Sequence, residues 1–394
     1  MNSSVSPPIA RVQARVFRYP IATPVTTSFG IMRDRPAVFV RVEDTEGAHG
    51  WGEIWCNFPE VGAEHRARLV ASVFAPLLIG RSFNSPTAAF AELSDKTGVL
   101  AIQCAEPGPI AQCIAGIDVA LWDLYARRRN APLWRVLRGE ASPAPGQPEP
   151  AADGLGARIA VYASGLNPES PEKLAAVQYA HGHRAFKLKI GFGETRDVAN
   201  LRALRETLGD APIMVDANQA WDQTSALHMA CAIAPFEPGW LEEPLRADRP
   251  WHEWTALRDA IAIPLAAGEN IASTAGFDAA IKSTALGVVQ PDLAKWGGFS
   301  GCLPVAREVI ESGARFCPHY LGGGIGLLAS AHLLAACGGD GMLEIDANDN
   351  PLRMLLCGPV ANVSAGTITL SDAPGLGVEP DFSAVAAHEV FVNA

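Results

Sequence analysis

The chain carries two hydrophobic rhythms. In residues 8–54 apolar and polar positions alternate: IARVQARVFRYPI does so, and PAVFVRVEDTEGAHGWGEIW does so on both sides of the turn EGAHG. A period of two marks strands with one buried face. Residues 61–136 read instead as helices, in EHRARLVASVFAPLLIG, SPTAAFAELSDKTG and AQCIAGIDVALWDLYARRRNAPLWRVL. Strands followed by helices predict an α+β module. The stretches TPVTTSFGIMRDRP and CNFPEVGAEH read as loops, and they hold the recognition-type side chains Arg33, Arg35, Asn57 and His65. Residues 140–157, EASPAPGQPEPAADGLGA, nearly lack large apolar side chains and read as an exposed linker.

Past the linker the rhythm changes to short, continuous apolar runs, the pattern of strands buried on both faces. The first is ARIAVYASG. Later runs end, or nearly end, on a polar residue: Lys189 in AFKLKIG, Asp216 in IMVDANQAW, Glu242 in WLEEPL and Glu269 in LAAGEN. Asp292 in VVQPDLAKWGG, His319 in RFCPHY and Glu344 in MLEIDAN complete the series. Successive intervals are 27, 26, 27, 23, 27 and 25 residues, each the length of one strand plus one helix. Repeats of that unit build a parallel α/β barrel, and polar residues at the carboxyl ends of its strands converge on one mouth. The predicted organisation is an α+β capping domain over 1–139, the linker, and a barrel over 158–348. The tail 349–394 returns to strand and turn signals and is expected to fold back onto the capping domain.

The residue types at the mouth define a chemistry. Asp216, Glu242 and Glu269 stand on successive strands, and three anions focused on one point repel unless a cation lies among them. All-oxygen ligands with room for water favour Mg²⁺. Glu243 is expected to point the opposite way along the strand, and is the replacement if Glu242 is the wrong member of the pair. Lys187 and Lys189 share a strand face, so each is expected to lower the other's pKa, fitting Lys189 to act as a base. Asp292 is expected to hold one imidazole nitrogen of His319, making it a second acid/base across the barrel. Glu344, in a dry pocket, is expected to stay protonated and to donate to developing oxyanion charge; the structural alternative is an ion pair with Arg353 or a lysine. Asn218, Arg33, Asn57 and Tyr162 are the candidate substrate contacts. GGGIG at 322–326 reads as a flexible loop near the mouth, with phosphate binding as the lesser alternative.

Together these parts suit removal of the proton next to a substrate carboxylate, with a divalent ion stabilising the resulting dianion. A second acid then either returns a proton, inverting the carbon, or protonates a departing β-hydroxyl, eliminating water. The ordered set KLK, VDAN, LEEP, GEN, PD, PH and LEI resembles the mandelate racemase-like branch of the enolase superfamily over nearly the whole chain. That resemblance implies a (β/α)7β barrel, Mg²⁺ held by Asp216, Glu242 and Glu269, Lys189 as base, the His319–Asp292 dyad and Glu344 as electrophilic carboxyl. It further implies a homo-oligomer, a hydroxy-acid or acid-sugar substrate, and substrate recognition by the stretch 23–36. Dehydration of a 2,3-dihydroxy acid leads, with racemisation or epimerisation second.

Bulk properties narrow the alternatives. A net charge of −11 disfavours nucleic acid and anionic membrane as partners. No run approaches the roughly 18 apolar residues of a membrane span, and the N-terminus lacks a signal-peptide core, so a cytoplasmic enzyme is expected. The eight cysteines are scattered without a CxxC, as for reduced thiols; Cys317 lies two residues before His319. A barrel hydrolase needs histidine ligands, and the close pair His181/His183 precedes its strand, at the wrong end. A non-catalytic barrel is disfavoured by seven chemically competent positions.

Overall fold

The computed structural model describes residues 6–27, 30–139 and 157–393. Of the stretch read as a linker, all but Ala157 lies outside the described residues.

The N-terminal part begins with strands β1 (Ile9–Thr27), β2 (Gly30–Asp44) and β3 (His49–Ile54), paired antiparallel in that order. The loop expected at 23–36 is instead the far end of the β1–β2 hairpin, where Val25 pairs with Met32 after a register shift at Pro20. Both side chains line the cavity described below, so the extended arm is held over the barrel by apolar contact. Helix Pro107–Arg128 packs on the sheet, and helix Pro86–Gln103 packs on that helix. The helix Pro107–Arg128 lies almost on the backbone of β3. A Cβ at Gly52 would stand 2.0 Å from the Gly116 carbonyl oxygen, and one at Gly50 would stand 2.2 Å from that of Ala120. Only glycine permits that approach.

Eight parallel strands follow: β4 (Arg158–Leu166), β5 (Phe186–Lys189), β6 (Ile213–Asp216), β7 (Leu241–Glu242), β8 (Leu265–Ala267), β9 (Val288–Val289), β10 (Arg315–Phe316) and β11 (Met342–Asp346). A helix separates each strand from the next, giving seven strand–helix units and a closing strand, and β11 pairs beside β4. This is the expected (β/α)7β barrel with an α+β cap. Tyr162, Met214, Trp240, Cys317 and Met342 pack together within the barrel. The tail divides: β12 (Thr367–Thr369) pairs antiparallel with β4, and β13 (Glu389–Val392) pairs antiparallel with β1. Phe382 stacks on Phe17 at 5.1 Å between centroids, tying the tail to the cap. Among the described residues no helix is long and apolar enough to cross a membrane, and all eight cysteines are free.

Candidate active site

Lys189, Asp216 and Glu242 are the last residues of β5, β6 and β7 and lie side by side in register. Glu269, Asp292 and His319 follow β8, β9 and β10 within three residues, and Glu344 is in β11. All seven are buried or nearly so. Lys189 Nζ lies 2.5 Å from Asp216 Oδ2. Lys187 Nζ bridges Glu242, at 2.6 and 2.7 Å, and Glu344, at 2.7 Å. His319 stands between two acids, Nδ1 at 2.8 Å from Asp292 and Nε2 at 2.6 Å from Glu269. The expected dyad is therefore formed. On an eight-stranded ring β5 and β10 are three steps apart one way and five the other, so Lys189 and His319 reach the shared cavity from opposing walls.

Charge here differs from the sequence reading in three respects. Lys187 and Lys189 do not lower one another's pKa to neutrality: burial favours that, but Glu242 and Glu344 around Lys187, and Asp216 beside Lys189, hold both ammonium groups above their ordinary range. Glu344 is not a protonated acid. Burial pushes it up, yet Lys187 and then His319 bring it down to about 2, while Ser164 and the Tyr320 amide donate to it. Its ion pair is with Lys187, not Arg353. Glu243 does not turn away. Its φ of 40° breaks the strand alternation, and its carboxylate accepts from Asn270 at 2.8 Å. Burial, then Glu269 and Asp216, push Glu243 to about 8, and its Oε2 has no hydrogen-bond partner among the described residues. Glu242 is pushed to about 7, chiefly by burial, because the one Lys187 ammonium is shared with Glu344. The same logic run the other way holds His319 well above its ordinary pKa, since Glu269, Glu344 and Asp292 outweigh burial.

Around Lys187, Lys189 and His319, six carboxylates (Asp216, Glu242, Glu243, Glu269, Asp292, Glu344) face four bases (Lys187, Lys189, Lys295, His319). With every group ionised, two negative charges are left over. Two of the acids carry raised pKa values and one has an orphaned oxygen, as crowded like charges produce; in this geometry no group of three or more His, Cys, Asp or Glu among the described residues is already arranged around a metal position.

Residues 170–384 match the family model "Enolase C-terminal domain-like", and residues 11–138 match "Mandelate racemase / muconate lactonizing enzyme, N-terminal domain". The chain belongs to the mandelate racemase/muconate lactonizing enzyme family of the enolase superfamily. It is 56% identical to a family member of Bordetella bronchiseptica RB50 whose crystal structure superposes with a TM-score of 0.88, over 98% of this chain and 100% of that one. A racemase from Streptomyces coelicolor A3(2) with bound magnesium superposes at 0.83, with 28% identity, over 97% and 100%. The 3,6-anhydro-alpha-L-galactonate cycloisomerase of Streptomyces coelicolor is 30% identical over 95% of this chain and 97% of its own length. Other relatives are named arabinonate dehydratase, D-galactonate dehydratase, o-succinylbenzoate synthase and N-succinyl-L-Arg/Lys racemase. This family member is accordingly a lyase or isomerase.

The remaining candidates separate. Asn57 and Asn218 line the cavity; Asn57 donates to the Leu321 carbonyl at 2.6 Å, and Asn218 donates twice to Asp216. Arg33 is exposed and does not line it. Tyr162 is buried inside the barrel, its ring 5.5 Å from Lys187 Nζ, which supports that lysine rather than touching the cavity. Arg35, two residues beyond Arg33 along β2 and buried, lines the cavity instead. Cys317 is core, its thiol pushed to about 11 by burial. The GGGIG loop has no room for phosphate, because Glu53 of β3 already accepts from the Gly323 and Gly326 amides, at 2.5 and 2.8 Å. His65 pairs with Glu106 at 2.9 Å. Lys295, beyond β9, lies 3.3 Å from Glu269 and 4.8 Å from the Trp55 ring centroid. Trp55, Asn167 and Asn348 are further cavity residues whose sequence contexts carry no repeat signal.

Proposed function

We propose that this chain is a Mg²⁺-dependent enzyme that removes the proton α to the carboxylate of an acid sugar and expels the oxygen on the β-carbon. Asp216, Glu242 and Glu269 would hold the ion, with Glu243 as a fourth oxygen donor beside them. When bound, Mg²⁺ supplies the counter-charge for these acids and for the oxygens of the deprotonated substrate. Lys187 neutralises the same carboxylate end. Lys189 and His319 face the substrate from opposing walls: with Asp216 engaged by the ion, the charge that holds the Lys189 ammonium would be withdrawn and its free amine would take the α-proton, while His319, an imidazolium oriented by Asp292, would deliver a proton to the departing oxygen. Glu344 keeps Lys187 and His319 charged.

The observation that carries this reading is the pair of proton carriers on opposing walls beside an acid set with two negative charges in excess. Cavity walls rich in amides (Asn57, Asn167, Asn218, Asn348) suit hydroxyl groups better than an aromatic ring. Relatives named dehydratases and cycloisomerases support an elimination in which the departing oxygen is a hydroxyl or part of a ring. Racemisation with the same residues is the second reading, favoured by the relative named a racemase. A panel of acid sugars incubated with enzyme and Mg²⁺ in D₂O, followed by NMR, separates the two. Elimination yields a 2-keto acid or an opened ring, racemisation yields α-deuterated acid of unchanged formula, and no Mg²⁺-dependent exchange with any acid would overturn both.

A further inference from the structure

The cavity has a second charged wall, away from the Lys187 end. Arg35, Asp346 and Arg353 are only 3%, 5% and 6% exposed. Arg35 Nη2 donates to Asp346 Oδ2 at 2.7 Å, and its Nε donates to the Asp349 carbonyl at 2.9 Å. Its Nη1 makes no hydrogen bond among the described residues. Arg353 approaches the same Asp346 oxygen, Nη1 at 3.8 Å, beyond hydrogen-bond reach; its Nη1 and Nε are both buried without a hydrogen-bond partner among the described residues. Two guanidinium groups thus share one carboxylate, which leaves one positive charge in excess. Asp349 also acts on Arg353, but it is exposed, where solvent screens it. A buried cation without a full partner is costly, and a planar guanidinium pairs with a carboxylate through directional charge-assisted N–H donors. Arg35, Asp346 and Asn348 line the catalytic cavity, so the excess charge faces the space in which substrate lies.

We propose that the substrate is a dicarboxylate: an acid sugar with a carboxylate at each end, the reacting one near Lys187 and the distal one received by Arg35, with Arg353 reinforcing the charge through Asp346. This rests on the acid-sugar reading above and adds its substrate class. Asn348 is placed to assist: its side chain holds the Gly165 carbonyl at 2.9 Å and accepts from Asn167 at 3.0 Å, fixing the wall against which the distal end sits.

The test compares matched diacids and monoacids, hexarates against hexonates of the same configuration, on the wild-type enzyme with Mg²⁺. Diacids are expected to show kcat/KM at least 100-fold higher, mostly through KM. Arg35→Gln is expected to shrink that ratio at least 30-fold, and Arg35→Lys, which keeps the charge, to restore part of it. Monoacids turned over as well as diacids by the wild type would overturn the dicarboxylate assignment while leaving the acid-sugar reading intact, and this comparison does not depend on any variant folding. Equal losses on both classes in Arg35→Gln would also overturn it. Absence of α-proton exchange with every member of both classes would remove the acid-sugar reading and this inference with it.

Discussion

Lys189 and His319 face one cavity but answer to different partners, Asp216 for the lysine and Asp292 with Glu269 for the histidine. Each is therefore expected to fail independently. Lys189→Ala and His319→Asn should each lower turnover by roughly 10³-fold, the scale of a lost general acid or base. Whichever variant keeps deuterium exchange at the α-carbon identifies the base by elimination, as read by NMR in D₂O. The acid cluster has its own readout. Mg²⁺ at about 100 times its dissociation constant should stabilise the wild type by roughly 2.7 kcal/mol, seen as a rise in Tm. Asp216→Asn should lose most of that rise whether or not the variant is active. These residues were visible in the sequence because each ends an apolar run at a fixed interval. Their charge states were not, because Glu344 ionised and Glu242 pushed up both follow from one lysine lying between two acids, a relation across β5, β7 and β11.

At the scale of elements, the site is assembled by close approach between units far apart in sequence. The β1–β2 hairpin lays Val25, Met32 and Arg35 over the barrel mouth, and Glu53 on β3 pins the loop after His319 through two amides. That geometry requires β3 to sit tightly on the helix Pro107–Arg128. Gly52→Ala should destabilise the fold by about 3 kcal/mol, the range of an overpacked core with a backbone oxygen in the way. Urea denaturation measures this, and a loss under 0.5 kcal/mol would mean that the helix shifts freely. The alternation of β1 to β3 was plain in the sequence, whereas the hairpin's reach was not: Pro24 and Gly30 read locally as a loop, and only packing against the barrel makes pairing worthwhile there.

The whole molecule is held at a three-way junction by His332, on the last helix of the barrel. Its Nδ1 accepts from the Trp134 amide of the cap at 3.1 Å, and its Nε2 donates to the Leu376 carbonyl of the tail at 3.2 Å. Burial lowers its pKa to about 4, and protonating Nδ1 would set N–H against N–H. In the unfolded chain the group titrates near 6.5. Between pH 6.5 and 4 the unfolded state therefore binds more protons, and this contribution to stability is present above 6.5 and lost as pH falls. Relative to His332→Asn, the wild type should lose roughly 2 kcal/mol of its advantage between pH 7 and pH 5, measured by urea unfolding at both. Taken by itself, the sequence determined the barrel, the order of its catalytic groups and their convergence on one end, because strand and helix periods are local and recur at a fixed interval. The tertiary structure alone decided which acids remain charged, which arginine turns inward and where cap and tail close over the mouth, because those depend on distances between residues that the chain's own order leaves far apart.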